Sequence, residues 1–294
     1  MLFFVSLLAD GVLAGALYAL FALAFVVVYE ASGMINFALG VWAMLGTGLV
    51  ATGLSALGLG MAGAVGFAAT VSVAAALAFN RIVTRRLVDR PLITVIMVTL
   101  GLCLVLRGAV PLLLPAGPAA ASGLLATDTV TVHGLPLATG KLAAAVAALV
   151  SVATVAGFFR WSRTGLALRA IADDPRSAAA VGVDVDRHFA IAWGLMAVIA
   201  LLAGVLWTFV AGSGFGVVLL GLKVFPIVIV GGLDSIVGTL VGAFGLGVLE
   251  SLAAGYLDPI VGGGFSGIAA YLVLVATLCV RPHGLLGRPR VERI

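Results

Sequence analysis

Five polar side chains set within or against long apolar runs are the first candidates for chemistry: Glu30, Asn36, Lys223, Asp234 and Glu250. The Asn36 amide can present a donor and an acceptor to a zwitterion, or cap the helix that follows it, and capping is the simpler use. Lys223 and Asp234 flank one short apolar segment, where they can pair or reach out to opposite surfaces. Glu250 stands late in its run, as a solvated end residue would. Glu30 marks a turn, where a plain loop carboxylate is a simpler reading than a proton carrier. Ion-coupled transport wants a carboxylate or histidine relay through the apolar region, and these residues do not form one.

Catalysis is poorly supplied. His133, His188 and His283 lie outside the apolar runs, with no HExxH, paired histidines or Ser-His-Asp arrangement. Cys103 and Cys279 lie within apolar runs and read as small hydrophobes, so neither a disulfide nor a metal site is expected. A phosphate-binding loop needs Gly, four residues, then Gly-Lys-Ser/Thr. The nearest text, Gly134 to Leu142, puts five residues between its glycines and Leu after Lys141. The chain therefore carries no motor or cofactor site of its own, and any ATP-driven activity places ATP and Mg on a partner ATPase.

One polar stretch has internal design. Residues 160–188 are too polar to enter a bilayer and too short to form a domain. Asp174 before Pro175 is an N-cap followed by proline at the first helical position, Arg176 to Val181 favours helix, and Gly182 supplies the stop. A second helix is expected before it, Thr164 to Ala172, with Leu166, Ala170 and Ile171 on one side and Arg163 and Arg169 facing solvent or lipid phosphates. Asp184 or Asp186 then caps the next apolar run. Such a segment either ties two spans together or holds a short rigid helix against a separate motor.

The elements that position these residues are membrane spans. Of 294 residues, 63% are hydrophobic and 10% charged, with a mean hydropathy of +1.28. Runs such as Gly11 to Val28, Gly58 to Phe79 and Phe189 to Val210 hold about twenty residues without a charge, enough to cross a bilayer as helix. The 39 glycines suit close helix packing in lipid, and the prolines are expected mostly at span ends. The apolar stretch at the N-terminus lacks a basic flank and reads as a mature span, not a signal peptide.

Net charge is +4, and 13 of the 16 Lys and Arg fall within 81–90, 160–187 and 281–293. That is the positive-inside pattern rather than a nucleic-acid stripe. With the three clusters on one side, the crossings between them must be even in number. Leu92 to Leu113 and Leu142 to Phe159 satisfy this, joined by an external loop over 114–141. After His188 the runs at Phe189 to Ala211, Ile236 to Ala254 and Phe265 to Val280 are odd in number. The stretch Val217 to Gly232, interrupted by Lys223 and Pro226, must also cross. The expectation is an all-α, polytopic transmembrane bundle, a single transmembrane domain over 1–294. It has about eight full spans plus a short or broken one, with the N-terminus outside.

Two places break an apolar run: Glu30 through Gly33, Asn36 and Phe37, and Gly231-Gly232 through Asp234 and Ser235. Interrupted segments in corresponding positions point to two structurally related halves with a path between them, although Gly-containing turns would give the same text.

The text Gly15-Ala16-Leu17-Tyr18-Ala19-Leu20, then Tyr29 and Ser32 through Gly40, resembles the opening of Liv-type branched-chain amino acid ABC transporter permeases. Three further blocks agree: Arg163-Thr164-Gly165 through Arg169-Ala170, Ala172-Asp173-Asp174 and Val181-Gly182-Val183; Lys223 to Gly232 with Ser235 and Gly238; and the tail Arg281-Pro282 to Pro289. The likeness runs the length of the chain and is nearest to the shorter, H-like subunit. It implies an importer in the bacterial cytoplasmic (inner) membrane, in contact with membrane lipid. Its partners are a second, M-like permease in a heterodimer, two cytoplasmic ATPases and an external substrate-binding protein.

The resemblance also assigns residues. A substrate pathway is implied at Tyr18, Gly33, Asn36, Phe37, Leu39, Gly40, Gly231 and Gly232, and an ATPase-facing surface at Arg169, Ala170, Asp173, Asp174, Pro175, Ala179 and Gly182. Leu39 stands where the family motif commonly has His. Relatives also carry urea, short amides and other small polar nutrients. A stand-alone channel or ion-coupled carrier is the alternative from another class, and a membrane-embedded enzyme lacks its catalytic cluster.

Overall fold

A computed structural model describes residues 2–87, 90–114, 129–132, 135–211 and 215–287. Twelve α-helices dominate these residues: α1 (Leu2–Ser32), α2 (Leu39–Ser55), α3 (Met61–Ile82), α4 (Leu92–Leu113), α5 (Thr139–Trp161), α6 (Arg163–Asp173), α7 (Pro175–Ala180), α8 (Val185–Ala211), α9 (Phe215–Gly231), α10 (Ile236–Tyr256), α11 (Asp258–Val261) and α12 (Phe265–Val280). Six of them, α1, α3, α4, α5, α8 and α10, are long and apolar enough to cross a membrane, and α2, α9 and α12 are shorter apolar helices. Much of the loop expected over 114–141 lies outside the described residues, as do His133 and the tail from residue 288. Within that loop, β1 (Thr129–Val132) and β2 (Leu135–Ala138) pair antiparallel, Thr129 opposite Ala138.

Helix α1 is the axis of the bundle. Its middle, Ala16 through Val28, is apolar on every side, as a helix enclosed by others must be, and is buried throughout. Helices α5, α6, α8, α9 and α10 pack around it, α2 bridges α3, α8 and α9, and α4 lies on α2. A close crossing joins α1 to α10 through glycines. A Cβ at Gly247 would stand 2.6 Å from the Gly11 carbonyl oxygen and 2.7 Å from Gly15 Cα. Small residues let helix backbones touch where lipid gives no hydrophobic drive.

Because those neighbours are backbone and cannot rotate away, Gly247→Val is expected to destabilise by more than about 3 kcal/mol, the upper end for overpacking. Gly245 faces outward two residues earlier, with nothing within 4 Å of its Cβ position. Gly245→Val is therefore expected to leave the protein intact. Thermal unfolding of the two detergent-purified variants checks the contrast, and equal midpoints would remove the close-crossing argument.

Two expectations need correction. Lys223 and Pro226 do not interrupt their segment, because α9 runs unbroken through both, whereas Pro111 stands in the last turn of α4, near a span end. Neighbouring helices tolerate the missing amide where lipid-embedded helices pack together. On α6 the inward side is Gly165, Leu168 and Ile171, while Leu166 and Ala170 are exposed. Gly165 sets that face: a Cβ there would stand 2.6 Å from Phe159 Cα.

The two breaks also differ in form. After α1, Gly33 turns the chain at φ +64°, a left-handed conformation that suits glycine, and residues 34–38 run as non-helical backbone with Met34, Asn36 and Ala38 buried. Between α9 and α10 the chain makes a tight turn instead, with Ser235 Oγ accepting from Gly238 N at 3.0 Å. The tail closes the α9 end, as Leu285 N donates to Val230 O (2.8 Å) and Leu286 N to Gly231 O (3.0 Å).

Candidate functional site

Non-helical backbone inside a helical bundle has polar groups to satisfy, and the α1–α2 break meets this need with side chains. Asn36 Oδ1 accepts from Ala38 N at 3.0 Å, so its amide closes the turn before α2 and does not cap α2 itself. Thr99 of α4 donates to Ile35 O (3.3 Å) and accepts from Phe37 N (3.4 Å). Phe37 stacks on Phe225 of α9 with ring centroids 4.2 Å apart. Asn36 Nδ2 is buried with no hydrogen-bond partner among the described residues, an arrangement that favours a polar visitor. Leu39 is fully buried at the start of α2, and the Gly40 backbone presses on Val218 and Gly221 of α9.

The end of the bundle that carries the arginine clusters holds the polar segment. Ser162 caps α6 by accepting from Gly165 N at 2.8 Å. Asp174 caps α7, accepting from Arg176 N (2.9 Å) and Ser177 Oγ (2.6 Å), and Gly182 ends the turn at φ +91°. Asp184 is the residue that opens α8, accepting from Arg187 N at 3.0 Å. Arg85 and Asp186, 3.5 Å apart, tie the exit of α3 to α8.

Arg169, Ala170 and Asp173 share a recess of about 790 Å³ with Glu30, Gly33 and Asp234. Asp174, Pro175, Ala179 and Gly182 form an exposed surface next to it, pinned from below by buried Ala178. Gly231 and Gly232 border that recess through their neighbours Ile229, Leu233 and Asp234, which line it, and are themselves in backbone contact with Gly238 and Gly287.

The Ser177 hydroxyl, and after it the Arg176 amide, hold the Asp174 carboxyl below the usual carboxylate range. A value lowered by folding means that the cap's stabilisation is complete above the unfolded value and is lost as pH falls through the folded one. Amide exchange in α7, corrected for intrinsic rates, is therefore expected to stay flat from neutral pH down to about pH 4 and to rise below it. Asp174→Asn, which caps without titrating, should abolish the acid-side rise. An onset near neutral pH would exclude this carboxyl as the cause.

At the opposite end and inside the bundle, Tyr18 Oη donates to Glu250 Oε2 at 2.8 Å, and Lys223 Nζ donates to Glu250 Oε1. Two expectations change here. Lys223 pairs with Glu250 instead of Asp234 or a surface, and Glu250 is no solvated end residue, its side chain being 18% exposed. Nearer the surface, Lys141 Nζ lies 2.6 Å from Asp10 Oδ1. Asp10, Thr99 and the role of Lys141 escaped sequence reasoning. The available signal was sign complementarity, since single opposite charges in otherwise apolar runs need partners.

A helical bundle with six spans' worth of apolar helix, an internal unwound segment and polar recesses at both ends has the build of an integral membrane transport protein. Residues 7–282 match the family described as "Branched-chain amino acid transport system / permease component". The chain is similar to the high-affinity branched-chain amino acid transport system permease protein LivH of Escherichia coli (strain K12), 28% identical over 100% of this chain and 98% of that one. It is similar to BraD of Pseudomonas aeruginosa, 29% identical over 98% and 97% of the two chains. A probable LivH of Methanocaldococcus jannaschii is 33% identical over 43% of this chain. No solved structure matches the chain significantly. The chain belongs to the branched-chain amino acid transport permease family, and it is a transport subunit.

Proposed function

We propose that this chain is the H-like permease of an ATP-binding-cassette importer that carries branched-chain or other small amino acids across the bacterial cytoplasmic membrane. It works by alternating access, paired with an M-like permease, two ATPases that hold ATP and Mg, and an external binding protein. The observation that carries this reading is the shared recess. Arg169, Ala170 and Asp173 of α6 stand beside Gly33, the residue at which α1 gives way to the buried unwound segment. A push on α6 and α7 from a motor is then passed to α1, on which α6 packs, at the end where the break begins.

In this reading the shorter helices α2, α9 and α12 also cross. Their 16–17 residues rise about 25 Å, short of the 30 Å hydrocarbon thickness but within what local thinning accommodates. The result is eight crossings plus α2, which starts part-way through the bundle after the break. The arginine clusters then all lie on the cytoplasmic side, with the N-terminus outside and even crossings between clusters. Two related halves flank 160–188 and meet where α1 and α2 pack on α8, α9 and α10.

Asn36, Phe37 and Gly40 line the moving path, with Tyr18 at its outer part. Leu39 and the glycines Gly231 and Gly232 serve as packing that lets α2 and α9 shift. The test is purification of the tagged chain from its native membrane. Recovery of a P-loop ATPase and uptake of labelled leucine into vesicles driven by ATP and the binding protein support the proposal. Uptake that follows an ion gradient with no ATPase bound would replace it with a carrier.

A further inference from the structure

A recess of about 390 Å³ opens at the end opposite the arginine clusters, between the first half of α1, the start of α5 and the second half of α10. Its size falls within the range of about 300–1,000 Å³ typical of small-molecule sites. The lining divides by chemistry. Asp10, Lys141, Tyr18 and Glu250 supply charge and hydrogen bonds, while Leu7 and Ala254 are among its apolar walls. The charges are stacked by depth. Asp10 and Lys141 pair near the surface with side chains 43% and 27% exposed, and Glu250 lies deeper, held by Tyr18 and Lys223.

We propose that this recess is a binding site for the zwitterionic head of a free α-amino acid, occupied on the way into the transporter; the assignment rests on the importer reading above. The ammonium group is placed at the acidic side of the recess, which the Asp10 and Glu250 carboxylates line. The carboxylate is held by Lys141, released from Asp10 in exchange, and an aliphatic side chain lies on Leu7 and Ala254. Both partners of the surface ion pair find an opposite charge on the ligand, so entry replaces one partly exposed pair with two charge-assisted contacts. A neutral solute offers neither contact, and an amine or a carboxylic acid alone offers one.

The test is equilibrium binding of labelled leucine to the purified transporter assembly in phosphatidylglycerol nanodiscs without ATP, alongside vesicle uptake. Lys141→Gln and Asp10→Asn are each expected to weaken binding about tenfold or more, the effect of losing one charge-assisted hydrogen bond. The swap Asp10→Lys with Lys141→Asp keeps an ion pair for folding, yet sets an aspartate where the ligand carboxylate must sit. Weak binding by a normally assembled swap variant supports the site, and wild-type affinity in it makes the pair merely structural and overturns the proposal. A zwitterionic lipid headgroup has the same chemistry. Equal leucine affinity after adding phosphatidylethanolamine supports the free solute, and loss of binding to that lipid assigns the recess to headgroups and overturns it. If wild-type vesicles take up no amino acid at all, it is the importer reading that fails.

Discussion

Glu250→Ala is expected to lower the stability of the detergent-purified protein by on the order of 2–4 kcal/mol. The substitution leaves the Lys223 ammonium inside the bundle without its carboxylate and strips the Tyr18 hydroxyl of its acceptor. A half-removed pair costs more than the pair is worth, because the remaining charge keeps its desolvation penalty. The Lys223 side chain is 30% exposed, which places the figure toward the lower part of the range for buried pairs.

Removing both charges should therefore recover most of the loss. Glu250→Leu combined with Lys223→Met is expected to melt close to the wild type, while Tyr18→Phe costs about 1 kcal/mol. Thermal unfolding of the single and double variants decides the matter. A double variant as unstable as Glu250→Ala would mean that packing volume, and not the orphaned charge, sets the effect.

Why the sequence concealed this pair is physical. Lys223 and Glu250 are 27 residues apart on opposite arms of the α9–α10 hairpin, and only the crossing geometry of those arms brings them level. Lys141 and Asp10, 131 positions apart, are hidden for the same reason. Local features were legible because their causes are local. Asp174 before Pro175 and Gly182 after an alanine run delimit α7, and α4 and α12 occupy the predicted Leu92–Leu113 and Phe265–Val280. The face of α6 was misjudged because hydrophobicity favoured Leu166, whereas the backbone approach of Gly165 to Phe159 turns Leu168 inward. The two breaks look alike in sequence because both contain glycine beside polar residues. Only the fold distinguishes an internal unwound segment from a turn sealed by the tail.

Uncoupling is the functional prediction with the largest effect. Helix α7 has six residues, too few to persist alone, since helices this short are marginal without external support. Its support is the Asp174 cap, the Gly182 stop and the single buried contact of Ala178. Asp174→Ala with Gly182→Val removes two of these three: the alanine accepts no amide proton, and a β-branched residue resists the left-handed conformation that Gly182 adopts. The change lies at a surface exposed in the single chain, outside the apolar helices, so membrane insertion should proceed. ATP hydrolysis by the partner subunits is then expected to continue while amino acid uptake per ATP falls by about tenfold or more, within the range of coupling between distant sites. Asp174→Asn with Gly182 kept retains both cap and stop and should transport normally, which separates the helix from the charge. Full uptake per ATP in the double variant would take α7 out of the transmission and leave α6 and its packing on α1 as the route.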